Sequence, residues 1–208
     1  MTRVKICGIT NSADAVVAWR AGADAIGMIF APSRRQVDVP TARRIASEIP
    51  PFVLKVGVFV NEDPHRISEI THLVGLQAVQ FHGDESPEAC QRFAPNCIKV
   101  FRPQAPEDLE AIRFFPAGAF LLDTWSDTER GGSGKTFDWS LARYAMTFGR
   151  PVILSGGLTP DNVAEAVRTV QPAMVDVASG VEADVGHKDP ALVRRFIEAV
   201  KLLQTPAE

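Results

Sequence analysis

A thiol, a carboxylate, an imidazole and two arginines each stand where a short apolar run of this sequence stops. Cys7 follows Val4-Lys5-Ile6, Asp123 ends Phe120-Leu121-Leu122, His82 follows Gln80-Phe81, and Arg34-Arg35 lie just past residues 25–30. Near cationic groups a cysteine is partly ionised and serves as base or nucleophile; otherwise it is a small buried hydrophobe. Half withdrawn from water, Asp123 is expected to have a raised pKa and to suit proton donation, the bland alternative being a capping or salt-bridged aspartate. His82 reads first as a ring that holds its neighbours by hydrogen bonds. Arg34 and Arg35 are either a solvated pair or a clamp for a carboxylate. Two small-residue segments, Gly156-Gly157 and Ser179-Gly180, follow the next apolar runs. A lone Gly-Gly is turn punctuation, but two such loops in succession can bring backbone N–H groups onto a phosphate.

These residues need elements to position them. Short β-branched runs at 4–6, 25–30, 54–60, 78–82, 97–101, 119–123, 151–155 and 174–178 predict strands. Helical spacing follows each, at 12–21, 40–49, 63–74, 86–93, 106–115, 139–148, 159–170 and 189–203. Ser12, Asp63, Ser86 and Thr159 are expected helix caps, and proline follows directly after Asp63, Ser86, Thr159 and Asp189. Continuous apolar strands alternating with helices imply a parallel sheet covered on both faces. Eight such units suit a closed (β/α)8 barrel better than an open doubly wound sheet, which usually has fewer. The fold class is therefore α/β, a single TIM barrel over 1–208, compact beside the roughly 250 residues typical of that fold. In a barrel the strand ends share one mouth, so the groups named above converge. The long irregular stretch 124–138 is expected to close over that mouth. Its Gly134-Lys135-Thr136 is not a nucleotide-binding P-loop, because the glycine required five residues earlier is Glu129.

The 208 residues carry a net charge of −3 and no basic cluster, which argues against a nucleic-acid partner and leaves room for a small phosphorylated one. Three cysteines, Cys7, Cys90 and Cys97, have no paired spacing, so neither a disulfide framework nor a zinc site is expected. Cys90 and Cys97 read as packing residues. Unpaired thiols and the lack of a visible sorting signal lead to an expected cytoplasmic location. No apolar run is long enough to span a membrane. Monomer and homodimer are both compatible with the fold.

Taken together, the motifs resemble the phosphoribosylanthranilate isomerase family. They are Lys5-Ile6-Cys7-Gly8-Ile9-Thr10, residues 22–27, residues 56–61, Gln80-Phe81-His82-Gly83, Leu121-Leu122-Asp123, residues 131–139, Leu154-Ser155-Gly156-Gly157-Leu158, and Ser179-Gly180-Val181-Glu182 with residues 186–189. Phe81 and Ala178 depart from the family's usual Leu and Ser. The resemblance implies an Amadori rearrangement of N-(5-phosphoribosyl)anthranilate in tryptophan biosynthesis, without metal or cofactor. It implies Asp123 as general acid, Cys7 as general base, Arg35 (counting back from Val37) on the anthranilate carboxylate, His82 at the substrate, and Gly156, Gly157, Ser179 and Gly180 on the phosphate. The sister isomerase of histidine biosynthesis fits less well: it wants an aspartate where Cys7 stands and a second phosphate loop where Asn61-Glu62-Asp63 is acidic. Indole-glycerol-phosphate synthase needs a lysine and paired glutamates that have no place here. A non-catalytic phosphosugar-binding barrel would have no use for both Cys7 and Asp123.

Overall fold

A computed structural model describes residues 1–123 and 139–204. Its strands are β1 (Arg3–Ile6), β2 (Ala25–Ile29), β3 (Leu54–Phe59), β4 (Ala78–Phe81), β5 (Cys97–Phe101), β6 (Ala119–Asp123), β7 (Val152–Ser155) and β8 (Met174–Val177). All pair in parallel and in chain order, and β8 returns onto β1 with Lys5 opposite Asp176, so the sheet is a closed barrel and not an open one. The helices are α1 (Ser12–Arg20), α2 (Val39–Ser47), α3 (Pro64–Val74), α4 (Pro87–Gln91), α5 (Pro106–Ile112), α6 (Trp139–Met146), α7 (Val163–Val170) and α8 (Pro190–Lys201). None of the helices among the described residues is long and apolar enough to cross a membrane.

Helix entry follows the expected chemistry at Asp63, Ser86 and Asp189, whose side chains accept backbone N–H groups of the first turn. Two expected caps are displaced. Asn11, not Ser12, caps α1 by accepting from Asp14 N at 2.8 Å. At α7 the Asn162 side chain takes the Thr159 N–H at 2.8 Å, which closes a separate turn and delays the helix to Val163. Helices α4 and α5 stop short of their expected ends, at Gln91 and Ile112, four residues ahead of Pro95 and Pro116, which have no N–H for those carbonyls and whose rings clash with them.

Alternate residues of each strand face the barrel interior. Low in the barrel these are apolar: Ala25, Val56, Ala78, Ile98, Leu121, Ile153 and Met174 pack together, all buried. Two residues further along the same rows the character changes. Gln80 follows Ala78, Asp123 follows Leu121, Ser155 follows Ile153 and Asp176 follows Met174, while β1 offers Lys5 and then Cys7. The opposite strand faces pack outward against the helices, as where Phe120 and Leu122 of β6 meet the outer core to which Phe196 of α8 belongs. Each such buried side chain contributes about 1.5–3 kcal/mol. After β8 a 3-10 turn, Ser179–Val181, leads into a hairpin absent from the sequence reading, β9 (Glu182–Asp184) paired with β10 (His187–Lys188).

Candidate active site

At the C-terminal mouth lies a cavity of 220 Å³ whose walls include Cys7, Arg35, His82, Asp123, Gly156, Gly157, Ser179 and Gly180. Of the residues singled out from the sequence as site candidates, all but Arg34 thus border one space. A larger hollow of 680 Å³ lies at the other end of the barrel, around Met1, Arg150, Arg168 and Gln171, and its lining has no thiol, carboxylate or imidazole.

Cys7 sits just beyond β1 and is 6% exposed. Its sulfur lies over Gly27, where an added Cβ would be 2.7 Å from Sγ and 3.2 Å from Lys5 Cε. Burial pushes the thiol pKa up, the Lys5 charge pulls it down, Asp176 raises it again and Lys188 lowers it; the net direction is upward. Beneath it, fully buried Lys5 donates to Asp176 Oδ1 at 2.8 Å and to Gln80 Oε1 at 2.9 Å.

Asp123 ends β6 with its side chain 14% exposed. His82 Nε2 stands 3.6 Å from Asp123 Oδ2, and Arg102 Nε is 3.2 Å from the same oxygen. The expectation of a raised pKa is overturned. Burial does push the carboxyl up, but the His82 and Arg102 contacts outweigh it and hold it below the ordinary aspartate value. His82 is tied in turn to Gln80, Nδ1 to Nε2 at 3.3 Å.

Of the two arginines, Arg35 reaches the cavity and Arg34 is exposed away from it. The Arg35 guanidinium grips Glu182 with two bonds, Nε–Oε1 at 2.7 Å and Nη2–Oε2 at 2.6 Å. Lys188 Nζ adds a third contact to Glu182 Oε1 at 3.0 Å and also donates to Ala178 O. Burial alone would raise the Glu182 pKa; these two cations bring it down to about 2. The hairpin therefore fixes Arg35 at the rim. On the far rim, Gly156 and Gly157 take left-handed backbone angles, φ 87° and 63°, which side-chain-bearing residues rarely adopt. Gly180 lies so close to the Leu158 carbonyl that any Cβ would collide with it, so the two glycine loops pack as one wall. The helix expected from Thr159 starts one turn later, at Val163.

The sequence reading passed over Lys5, Gln80, Arg102, Asp176, Glu182 and Lys188. For three of them a signal existed: Lys5 and Gln80 stand two residues before Cys7 and His82 on the same inward rows, and Asp176 interrupts Met174-Val175-Val177. A charge inside an otherwise apolar buried strand needs a partner.

The family model for N-(5'-phosphoribosyl)anthranilate (PRA) isomerase matches residues 4–199, from β1 into α8. The chain belongs to this family. It is 49% identical over 203 residues to the N-(5'-phosphoribosyl)anthranilate isomerase of Desulforudis audaxviator, spanning 97% of this chain and 98% of that one. Its fold is similar to the crystal structure of phosphoribosyl anthranilate isomerase from Thermotoga maritima, with a TM-score of 0.88, 47% identity, and 97% and 99% of the two chains covered. A further similar structure is a phosphoribosyl anthranilate isomerase in complex with reduced 1-(o-carboxyphenylamino)-1-deoxyribulose 5-phosphate, with a TM-score of 0.85, 44% identity, and 97% and 99% coverage. The isomerase-family segment 124–138, expected to close over the mouth, lies outside the described residues.

Proposed function

We propose that this protein isomerises N-(5-phosphoribosyl)anthranilate to 1-(2-carboxyphenylamino)-1-deoxyribulose 5-phosphate, the Amadori step of tryptophan biosynthesis. The observation that carries this reading is the meeting of Cys7 and Asp123 in one cavity whose rims hold Arg35 on one side and the two glycine loops on the other. A sugar whose two ends are an anthranilate carboxylate and a phosphate spans such a site. Asp123 gives a proton to the furanose ring oxygen, the C1–O bond breaks, and the anthranilate nitrogen carries the resulting iminium. Cys7, as thiolate, takes the C2 proton, and the enolamine tautomerises to the ketone. Arg35, locked by Glu182, offers its remaining positive edge to the carboxylate. His82 steadies Asp123, and Gly156, Gly157, Ser179 and Gly180 receive the phosphate.

The pKa directions add a condition to this chemistry. With the thiol pushed up and the carboxyl held down, the pair keeps its one proton on sulfur. That is the arrangement a completed turnover leaves behind. Each new cycle starts from the minor form, with the proton on Asp123 and the thiolate at Cys7; once Asp123 has given its proton up, the iminium's positive charge helps keep the sulfur ionised until it takes the C2 proton. The rate therefore stays level from below the ordinary aspartate pKa to above the ordinary thiol pKa. It falls at lower pH because Cys7 and Asp123 are then both protonated, and at higher pH because neither is.

Loss of phosphoribosylanthranilate fluorescence on adding the purified protein tests the activity directly; an unchanged signal at saturating enzyme refutes it. In Asp123→Asn the loss is expected in kcat, whereas a change confined to KM makes Asp123 a binding group. Each barrel holds a whole site, so we infer activity as monomer or homodimer, and the free thiols suit the cytoplasm.

A further inference from the structure

The buried charge beneath the mouth has no role in the chemistry above, yet it touches both halves of it. Lys5 is 0% exposed and an ammonium can only donate. Its bond to Gln80 therefore fixes which way that amide faces: the oxygen points to Lys5 at 2.9 Å, and the NH2 points to His82. An NH2 group cannot accept, so His82 Nδ1 is the acceptor of that 3.3 Å contact. Neutral His82 then carries its ring proton on Nε2, the nitrogen that faces Asp123 Oδ2. On its other side the Lys5 chain and the Cys7 sulfur border one small space that exists because Gly27 has no Cβ, which would lie 3.2 Å from Lys5 Cε and 2.7 Å from Cys7 Sγ. Asp176 anchors Lys5 at 2.8 Å, and Ser155 Oγ holds the second oxygen of Asp176 at 3.2 Å.

We propose that Lys5 is a positioning residue for both ends of the proton exchange: it supplies the fixed positive charge beside Cys7 and, through Gln80, orders the His82 tautomer that faces Asp123. This rests on the reading of Cys7 as base and Asp123 as acid. Other charges also face the sulfur, namely Asp176 from β8, Lys188 from β10 and Arg35 from the loop after β2. Lys5 is the nearest in the chain and shares the inward row of β1 with Cys7. Around Asp123 the corresponding groups are His82 and Arg102.

The test titrates Cys7 by its ultraviolet thiolate absorbance, subtracting the Cys7→Ser protein, and reads the His82 tautomer by nitrogen-15 NMR. Lys5→Met is expected to raise the Cys7 midpoint by about one pH unit or more and to lower kcat about tenfold for each unit, moving the alkaline limb of the rate profile upward by the same amount. Lys5→Arg keeps the charge and restores the midpoint. Should Lys5→Met not fold, Lys5→Gln keeps hydrogen-bonding capacity without charge and carries the same expectation. Gln80→Glu still accepts from Lys5 but has no N–H for His82; it is expected to move the ring proton to Nδ1 and lower kcat at unchanged KM. A purely structural Lys5 lowers activity with neither the thiol midpoint nor the tautomer moved, and that result overturns the proposal. Near-normal kcat in Cys7→Ser overturns a different claim, the reading of Cys7 as base, and leaves the Lys5 titration result standing.

Discussion

The lower and upper halves of the barrel interior are built on the same rows of the same strands and do opposite things. In the lower half, Val56, Ile98, Leu121, Ile153 and Met174 fill the space with side chains that have no polar atoms to satisfy. One step up four of the rows, Gln80 above Ala78, Asp123 above Leu121, Ser155 above Ile153 and Asp176 above Met174 carry groups that need partners and find them on other strands. Two residues, the repeat of a strand face, separate an apolar packing layer from the polar layer proposed to do the chemistry. A parallel barrel makes this division natural, since every strand delivers its last inward residue to the same end.

Substitutions in the two halves should therefore fail differently. The largest effect is expected at the top: with Cys7 as the proposed base, Cys7→Ser puts a far weaker base in its place and should cost about a thousandfold in kcat, about 4 kcal/mol of barrier, with little change in melting temperature. A steady-state assay beside a thermal melt checks both. Leu121→Ala, two residues below Asp123 and 1% exposed, should do the reverse, losing about 3–4 kcal/mol of stability in denaturant unfolding while folded protein keeps a near-normal rate. Equal damage to kcat would mean that the two halves are not separable.

Acid should break the rim before the base of the barrel. Glu182 has its pKa lowered from 4.5 to about 2 by Arg35 and Lys188, so its stabilisation is present above the unfolded value and is lost as pH falls from about 4.5 toward 2. That loss is worth about 3 kcal/mol and should vanish from the acid unfolding curve of Glu182→Gln. The smallest effect, about 1 kcal/mol, is expected for Ile153→Val in the lower layer, with activity untouched.

The lower half was the more legible in the sequence. Apolar runs at a spacing near 25 residues announce a barrel because burial on both faces demands continuous hydrophobicity. Polar residues that close a run, such as Cys7 and Asp123, are equally visible. What sequence reading lacked was the partner list. The low pKa of Asp123 depends on His82 and Arg102 from β4 and β5 strand ends, and nothing local to Leu121-Leu122-Asp123 reports them. Lys5 looks like an interruption of a strand until Asp176, 171 residues away, is placed beside it. The hairpin at Glu182–Lys188 is too short for a periodic signal, and the delay of α7 turns on one side-chain contact at Asn162.

The seam between β1 and β8 also pairs the buried charge. The first strand of the barrel leads into the thiol, and the eighth carries the aspartate that anchors the charge beside it. Without β8, Lys5 has no counterion and the sheet keeps two open edges. Pairing of the eighth strand thus gives Lys5 its counterion in the same event that removes those edges.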